Sequence, residues 1–333
     1  MKNQPLAPSS SSQNKTFFYV LLGFVGFFVM CFILIIFTVH SAVKKMSGGG
    51  HSSFLASSDE IDLIEIDGSI YQSDEIVRKI RRFKKGDQKA LIIRLNSPGG
   101  AVAPSQEIYS AIMSARQDKK KIVVASMSSL AASGAYYIAA ACDKIVANPG
   151  TLTGSIGVIA EFPEASGLLK KVGVDFQTIK SGKFKDTGSF SRPMNLEERA
   201  YLQDTVNDVF HQFLDAVVEG RSQGVKAVLA KRLKVKADSI KEEQVKNFIL
   251  PFADGRAITG HKAFELGLVD ELGNYDDAVK LTASLAGING EPEVHEDKSG
   301  KFDQLLDSVL PFSLFSQLKQ YQNSSFQLEY RAF

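Results

Sequence analysis

The chain is poor in the two residue types on which hydrolytic and metal sites most often rest, with only two cysteines and five histidines in 333 residues. Cys31 falls within an apolar run and Cys142 in the remainder, so the globular part can hold neither an internal disulfide nor a cysteine metal cluster. The histidines are badly distributed for a Ser-His-Asp site. His40 and His51 flank or enter a Gly/Ser-rich stretch, and His295 falls in a polar C-terminal segment. His211 is expected on the solvent side of a long helix, and His261 in the first turn of a short one. Charge imbalance is lacking too. A net charge of +2, from 39 basic and 37 acidic side chains, offers no electrostatic footprint for nucleic acid. The basic runs Lys119–Lys121 and Arg81, Arg82, Lys84, Lys85 are short enough to be solvated helix ends or loops.

One stretch has no charge at all. Phe17 to Val39 reads FFYVLLGFVGFFVMCFILIIFTV, which as a helix would extend about 34 Å, enough to cross a hydrocarbon core of roughly 30 Å. A cleaved signal peptide would have a shorter apolar run ending in a small-x-small site. Here His40 stands two before Ala42, so a retained anchor is expected. Lys2 and Lys15 before the run balance Lys44 and Lys45 after it, and the free N-terminal amine tips the N-terminus toward the cytoplasm without settling the orientation. The expected organisation is a short tail (1–16), an anchor (17–39), a flexible tether around Gly48-Gly49-Gly50 (40–59), a catalytic domain (60–288) and a C-terminal extension (289–333).

From Ile61 strands and helices alternate, the pattern of an α/β domain. Strands are predicted at Ile61–Ile66, Ala90–Leu95, Ile122–Ala125 and Lys144–Ala147, and helices at Ser73–Phe83, Pro104–Ala115 and Ala131–Ala141. A loop follows over Thr151–Val158. Asn195 with Glu198 three residues later reads as a capping box, leading into a helix with Leu202, Val206, Phe210, Phe213 and Val217 at helical spacing. A short strand, helix and strand are expected over Arg256–Asp270, and a closing helix over Tyr275–Ala286.

The chemistry concentrates in three places. Ser133, in Ala131-Ala132-Ser133-Gly134-Ala135, is a candidate nucleophile, and a serine hydroxyl needs a base to take its proton. With histidine unsuited, Lys185 in Ser181-Gly182-Lys183-Phe184-Lys185-Asp186 is the candidate base. A solvated amine titrates near 10.4, so desolvation or a neighbouring cation, for which Lys183 is available, must lower its affinity for the proton. Asp186 must point elsewhere. The turn Asn96-Ser97-Pro98-Gly99-Gly100 leaves backbone N–H groups free, and Gly100 with Gly134, at the start of a helix, is the expected oxyanion pair. Taken singly, Pro-Gly-Gly is a common turn and Ala-Ala-Ser-Gly-Ala fits tight helix packing.

In order, these motifs and Thr153-Gly154-Ser155-Ile156-Gly157-Val158 resemble the signal peptide peptidase A family in its short, single-repeat form. The likeness spans roughly residues 60–288. It implies a crotonase/Clp-protease-like α/β core, Ser133 as nucleophile, Lys185 as general base, Ser155 as the hydroxyl that orients the lysine, and Gly100 in the oxyanion hole. It implies no cofactor or metal. It further implies remnant signal peptides as substrates, a bacterial inner-membrane location with the catalytic domain outside the cytoplasm, and a homo-oligomeric ring or dome sharing sites between subunits. Ala135 departs from the glycine more usual there. An acyl-CoA enzyme on the same core would need no Ser/Lys pair, and a non-catalytic membrane scaffold would use the site only for binding.

Overall fold

Apolar strands buried on both faces, alternating with amphipathic helices, build a mixed α/β fold. The computed structural model describes Met30 and residues 60–118, 120–296 and 329–331. The tail, tether and anchor expected from the sequence, Met30 apart, lie outside these residues. Among the described residues no helix is long and apolar enough to cross a membrane.

The central strands are β1 (Glu60–Asp67), β2 (Ala90–Ser97) and β4 (Ile122–Ala132), all parallel. Leu91, Ile92, Ile93 and Leu95 of β2 are fully buried, as a strand covered on both faces requires. Between β1 and β2 runs α1 (Asp74–Lys85), which buries Val77, Ile80 and Phe83 on one stripe. Its acidic first turn and basic last turn both suit the helix dipole.

Strand β4 has two partners in succession. Its first half, Val124–Met127, pairs with β5 (Lys144–Ala147), which in turn pairs with β8 (Glu271–Leu272). Its second half, Leu130–Ala132, pairs with β6 (Leu152–Gly154), which pairs antiparallel with β7 (Ala257–Thr259). The sequence reading ended this strand at Ala125 and began a helix at Ala131. The strand instead continues to Ala132, because a new partner takes over where the first one ends. Helix α3 (Gly134–Ala140) therefore starts later, and Ser133 lies at the strand–helix junction.

Four short strands escaped the sequence reading. β6 lies inside the predicted loop 151–158. β3 (Gly99–Ala101) precedes α2 (Val102–Arg116) and pairs antiparallel with β10 (Glu329–Arg331), Tyr330 standing opposite Gly100. His295 belongs to β9 (Glu293–Glu296), an edge strand parallel to β1, and not to an unstructured polar tail.

Helix α4 (Ser166–Lys171) lies in an otherwise irregular excursion, after which α5 (Leu196–Leu233) begins at the predicted capping box. Asn195 Oδ1 accepts from Glu198 N at 2.8 Å, and Glu198 Oε2 accepts from Asn195 N at 3.0 Å. This helix of 38 residues presses directly on α3: a Cβ at Gly220 would stand 1.9 Å from the Ala140 carbonyl oxygen. Arg221, one residue on, is buried and pairs with Asp270, which also accepts from Ile145 N at 2.8 Å. The remaining helices are α6 (Glu242–Ile249), α7 (Gly260–Glu265) and α8 (Tyr275–Ala286), the last with the bounds expected from the sequence. His211 is exposed and His261 stands in the first turn of α7, as predicted.

Candidate active site

Ser133 is held in an unusual backbone conformation, φ 56° and ψ −118°. Left-handed backbone is disfavoured for a residue with a Cβ and persists only where its surroundings enforce it. Two hydrogen bonds do so here. Ser133 N donates to Gly154 O at 2.8 Å, locking the turn to β6, and Ser133 O accepts from Tyr137 N at 2.8 Å, opening α3. The hydroxyl is buried and has no hydrogen-bond partner among the described residues. An orphaned buried hydroxyl costs about 1–3 kcal/mol. Strain and an unsatisfied polar atom coincide at this one residue, which makes it the candidate nucleophile.

The glycine notch beside it provides the N–H groups. Ile70 N donates to Gly99 O and Ala101 N donates to Ile70 O, so the Gly100 amide faces the opposite side of β3. There the Tyr330 carbonyl lies. A Cβ on Gly99 would stand 2.1 Å from the Tyr330 oxygen and 2.6 Å from Gly134 N. A Cβ on Gly134 would be 3.2 Å from both the Tyr330 oxygen and Gly100 N. Gly100, Gly134 and a peptide carbonyl are thus brought together at the N-terminal end of α3, the geometry expected of an oxyanion hole. Side chains here would fill the space the carbonyl occupies.

Ser155 is close by, because β6 pairs Gly154 with Ala132. It too has a left-handed backbone (φ 50°), and its Oγ donates to Gly255 O at 3.0 Å, leaving oxygen lone pairs to accept from an amine.

Lys185 makes no hydrogen bond to Ser133. It is exposed, its N–H donates to Gly182 O at 3.1 Å, and its amine has no partner among the described residues. Lys183, the candidate auxiliary cation, is exposed, pairs with Glu197 and lies over the Phe184 ring. Asp186 is turned to Arg192, 2.8 Å away, and to Lys180, whose hydrogen bonds hold its carboxyl well below the usual range. Arg192 continues to Glu198, which that guanidinium and the Asn195 N–H together lower to about 2. The segment bearing Lys185 is thereby clasped to the start of α5. Around it Leu168, Val172, Phe176, Ile179 and Phe190 are exposed, Ile179 completely.

Tyr330 is the site residue that sequence reasoning missed. Its ring is fully buried between Tyr137, stacked at 5.2 Å, and Phe213 at 4.6 Å. A three-residue strand beyond residue 289 shows no periodicity, and only a pairing partner reveals it.

A family model described as Peptidase family S49 matches residues 115–232 and 235–289. A Synechocystis protein carrying a provisional protease name is 41% identical over 233 residues, 69% of this chain and 76% of the relative. A Methanocaldococcus jannaschii protein, also provisionally named a protease, is 32% identical over 286 residues, 84% of this chain and 83% of the relative. The Arabidopsis thaliana chloroplast serine protease SPPA is 32% identical over 264 residues, 75% of this chain and 35% of that protein.

Proposed function

The chain belongs to peptidase family S49, a serine protease family, and on that premise we propose that it is a membrane-anchored endopeptidase using Ser133 as nucleophile and Lys185 as general base. Its substrates are remnant signal peptides and other apolar peptides, and its crotonase/Clp-like catalytic domain lies on the outer face of a bacterial inner membrane. The observation that carries the reading is the orphaned, strained Ser133 hydroxyl next to two amides that already face a peptide carbonyl. In the reaction the neutral Lys185 amine takes the Ser133 proton as Oγ adds to the substrate carbonyl. The Gly100 and Gly134 N–H groups hold the oxygen as it becomes negative. The lysine passes the proton to the departing amine, and water, activated by the same base, then releases the acyl group and restores the serine.

Ser133 Oγ has no partner among the described residues, and in this reading the base comes from a neighbouring copy in a homo-oligomer. The exposed apolar side chains around Lys185 favour such a contact, whose closure would strip water from the amine. Retention at a bilayer by residues 17–39 brings apolar peptides within reach. An extended peptide would pair with β3 through its backbone. Labelling of the intact protein by a serine-reactive phosphonate tests the nucleophile. Labelling is expected to vanish in Ser133→Ala, and Lys185→Ala should lower peptidase rates by about 10²–10⁴-fold. Undiminished labelling of Ser133→Ala would overturn the assignment.

A further inference from the structure

We propose that two buried serines outside the catalytic pair, Ser97 and Ser105, are positioning residues that grip the two ends of β3 and so hold the Gly100 N–H where a developing oxyanion would meet it. The proposal rests on the reading of Ser133 and the glycine amides given above.

β3 is only three residues long, and two of them are glycine. Glycine samples backbone conformations closed to other residues, and Gly99 itself sits at φ 97°. The Gly100 N–H belongs to the Gly99–Gly100 peptide. Rotation of that one peptide would turn the donor away and bring the Gly99 carbonyl oxygen round in its place. An oxygen there would repel the negative charge that the donor should hold. The flanking groups must therefore be tied down.

Four hydrogen bonds do this. Gly99 N donates to Ser97 Oγ at 3.1 Å, and Gly99 O accepts from Ile70 N at 2.9 Å. Ala101 N donates to Ile70 O at 2.8 Å, and Ala101 O accepts from Ser105 Oγ at 2.9 Å. Every backbone polar group of Gly99 and Ala101 is thus engaged, and the grip consumes neither the N–H nor the carbonyl of Gly100. Two of the four bonds come from the Ile70 main chain, which substitution cannot remove. The other two come from the Ser97 and Ser105 hydroxyls, both fully buried. Ser97 stands at the end of β2 opposite Ala131 of β4, two residues before Ser133, so its hold on Gly99 is referred to the strand that delivers the nucleophile. Ser105 reaches the second donor as well: a Cβ on Gly134 would stand 2.6 Å from its Oγ.

The test uses the full chain in detergent, with Ala and Cys at each position. It reads kcat and KM on a quenched peptide, the affinity for a peptide boronate whose tetrahedral adduct places an oxygen in the hole, and the melting temperature. Ser97→Ala and Ser105→Ala should each lower kcat about 10²-fold, the scale of one lost oxyanion donor, with KM changed by less than about twofold. Boronate affinity should fall in step with kcat/KM. Cysteine keeps the volume but bonds weakly, so Ser97→Cys and Ser105→Cys should be as slow as the alanine variants, and they carry the test if alanine prevents folding. Ser105→Thr, which can make the same bond to the carbonyl four residues back, should regain most of the rate. Cysteine variants as fast as the unmutated protein, or losses confined to KM or melting temperature with kcat intact, would overturn the positioning role. Cleavage that persists in Ser133→Ala would overturn the nucleophile instead.

Discussion

At Ser133 the observed backbone conformation conflicts with the one a Cβ tolerates. At φ 56° and ψ −118° such strain costs of order 1–3 kcal/mol. Ser133→Ala and Ser133→Gly should both be inactive, but not equally stable. The alanine variant keeps the strain and loses the hydroxyl, whereas glycine relieves the strain. The glycine variant should therefore melt about 2–4 °C above the alanine variant in calorimetry, the shift expected from about 1 kcal/mol in a domain of this size. Equal melting temperatures would show that the turn is not strained. Ser133, Gly134, Ser155 and Gly100 could be singled out in the sequence as candidates because each sits in a short run of small residues whose order is itself a signal. Tyr330 was not, since its role depends on a neighbour more than 220 positions away in β3. Nor could the sequence show that Ser133 and Lys185 make no hydrogen bond to one another in the structure, because no local pattern records what a loop fails to reach.

Among the elements, the segment leading into α5 has the most to say about pH. Asp186 and Glu198 are both held below their ordinary carboxylate range by Arg192, with Lys180 helping at the first and the Asn195 amide at the second. A carboxylate whose folded pKa is depressed stabilises the fold above its unfolded value, near 4, and that contribution fades as pH falls through the folded value. The clasp should accordingly hold above about pH 5 and loosen toward pH 2. Hydrogen exchange should show residues 180–195 losing protection in that window before the β2–β4 core does, and Arg192→Ala should give the loosened state already at neutral pH. Simultaneous loss of protection everywhere would contradict a local clasp. The capping box at Asn195 was readable because it needs only four residues in order. β4 was misjudged because its extension depends on β6 arriving as a second partner, which its own sequence does not announce. β3 and β10 are too short to carry any period.

At the scale of the whole molecule, the proposed reaction turns on a relation between copies. If each Ser133 is served by the lysine of a neighbour, inactive Ser133→Ala and inactive Lys185→Ala chains should rescue one another when co-assembled. A mixed oligomer pairs an intact serine from one variant with an intact lysine from the other. Peptidase activity should then rise from the background of either variant to roughly a quarter of the unmutated protein at equal mixing, the random share of competent pairs. No recovery in oligomers proven to be mixed would place the base within the same chain. The α/β alternation pointed to the fold class and the ordered motifs to a protease, whereas the exposure of Leu168, Val172 and Ile179, on which the proposed contact between copies rests, is seen only in the structure.

Strand β10 leaves a practical trace. With Ser133 covered and Tyr330 seated in its pocket, a covalent reagent can reach the hydroxyl only during moments when the last strand has lifted away. At saturating reagent the inactivation rate stops rising with dose and becomes a stopwatch for that departure, read without any substrate being turned over.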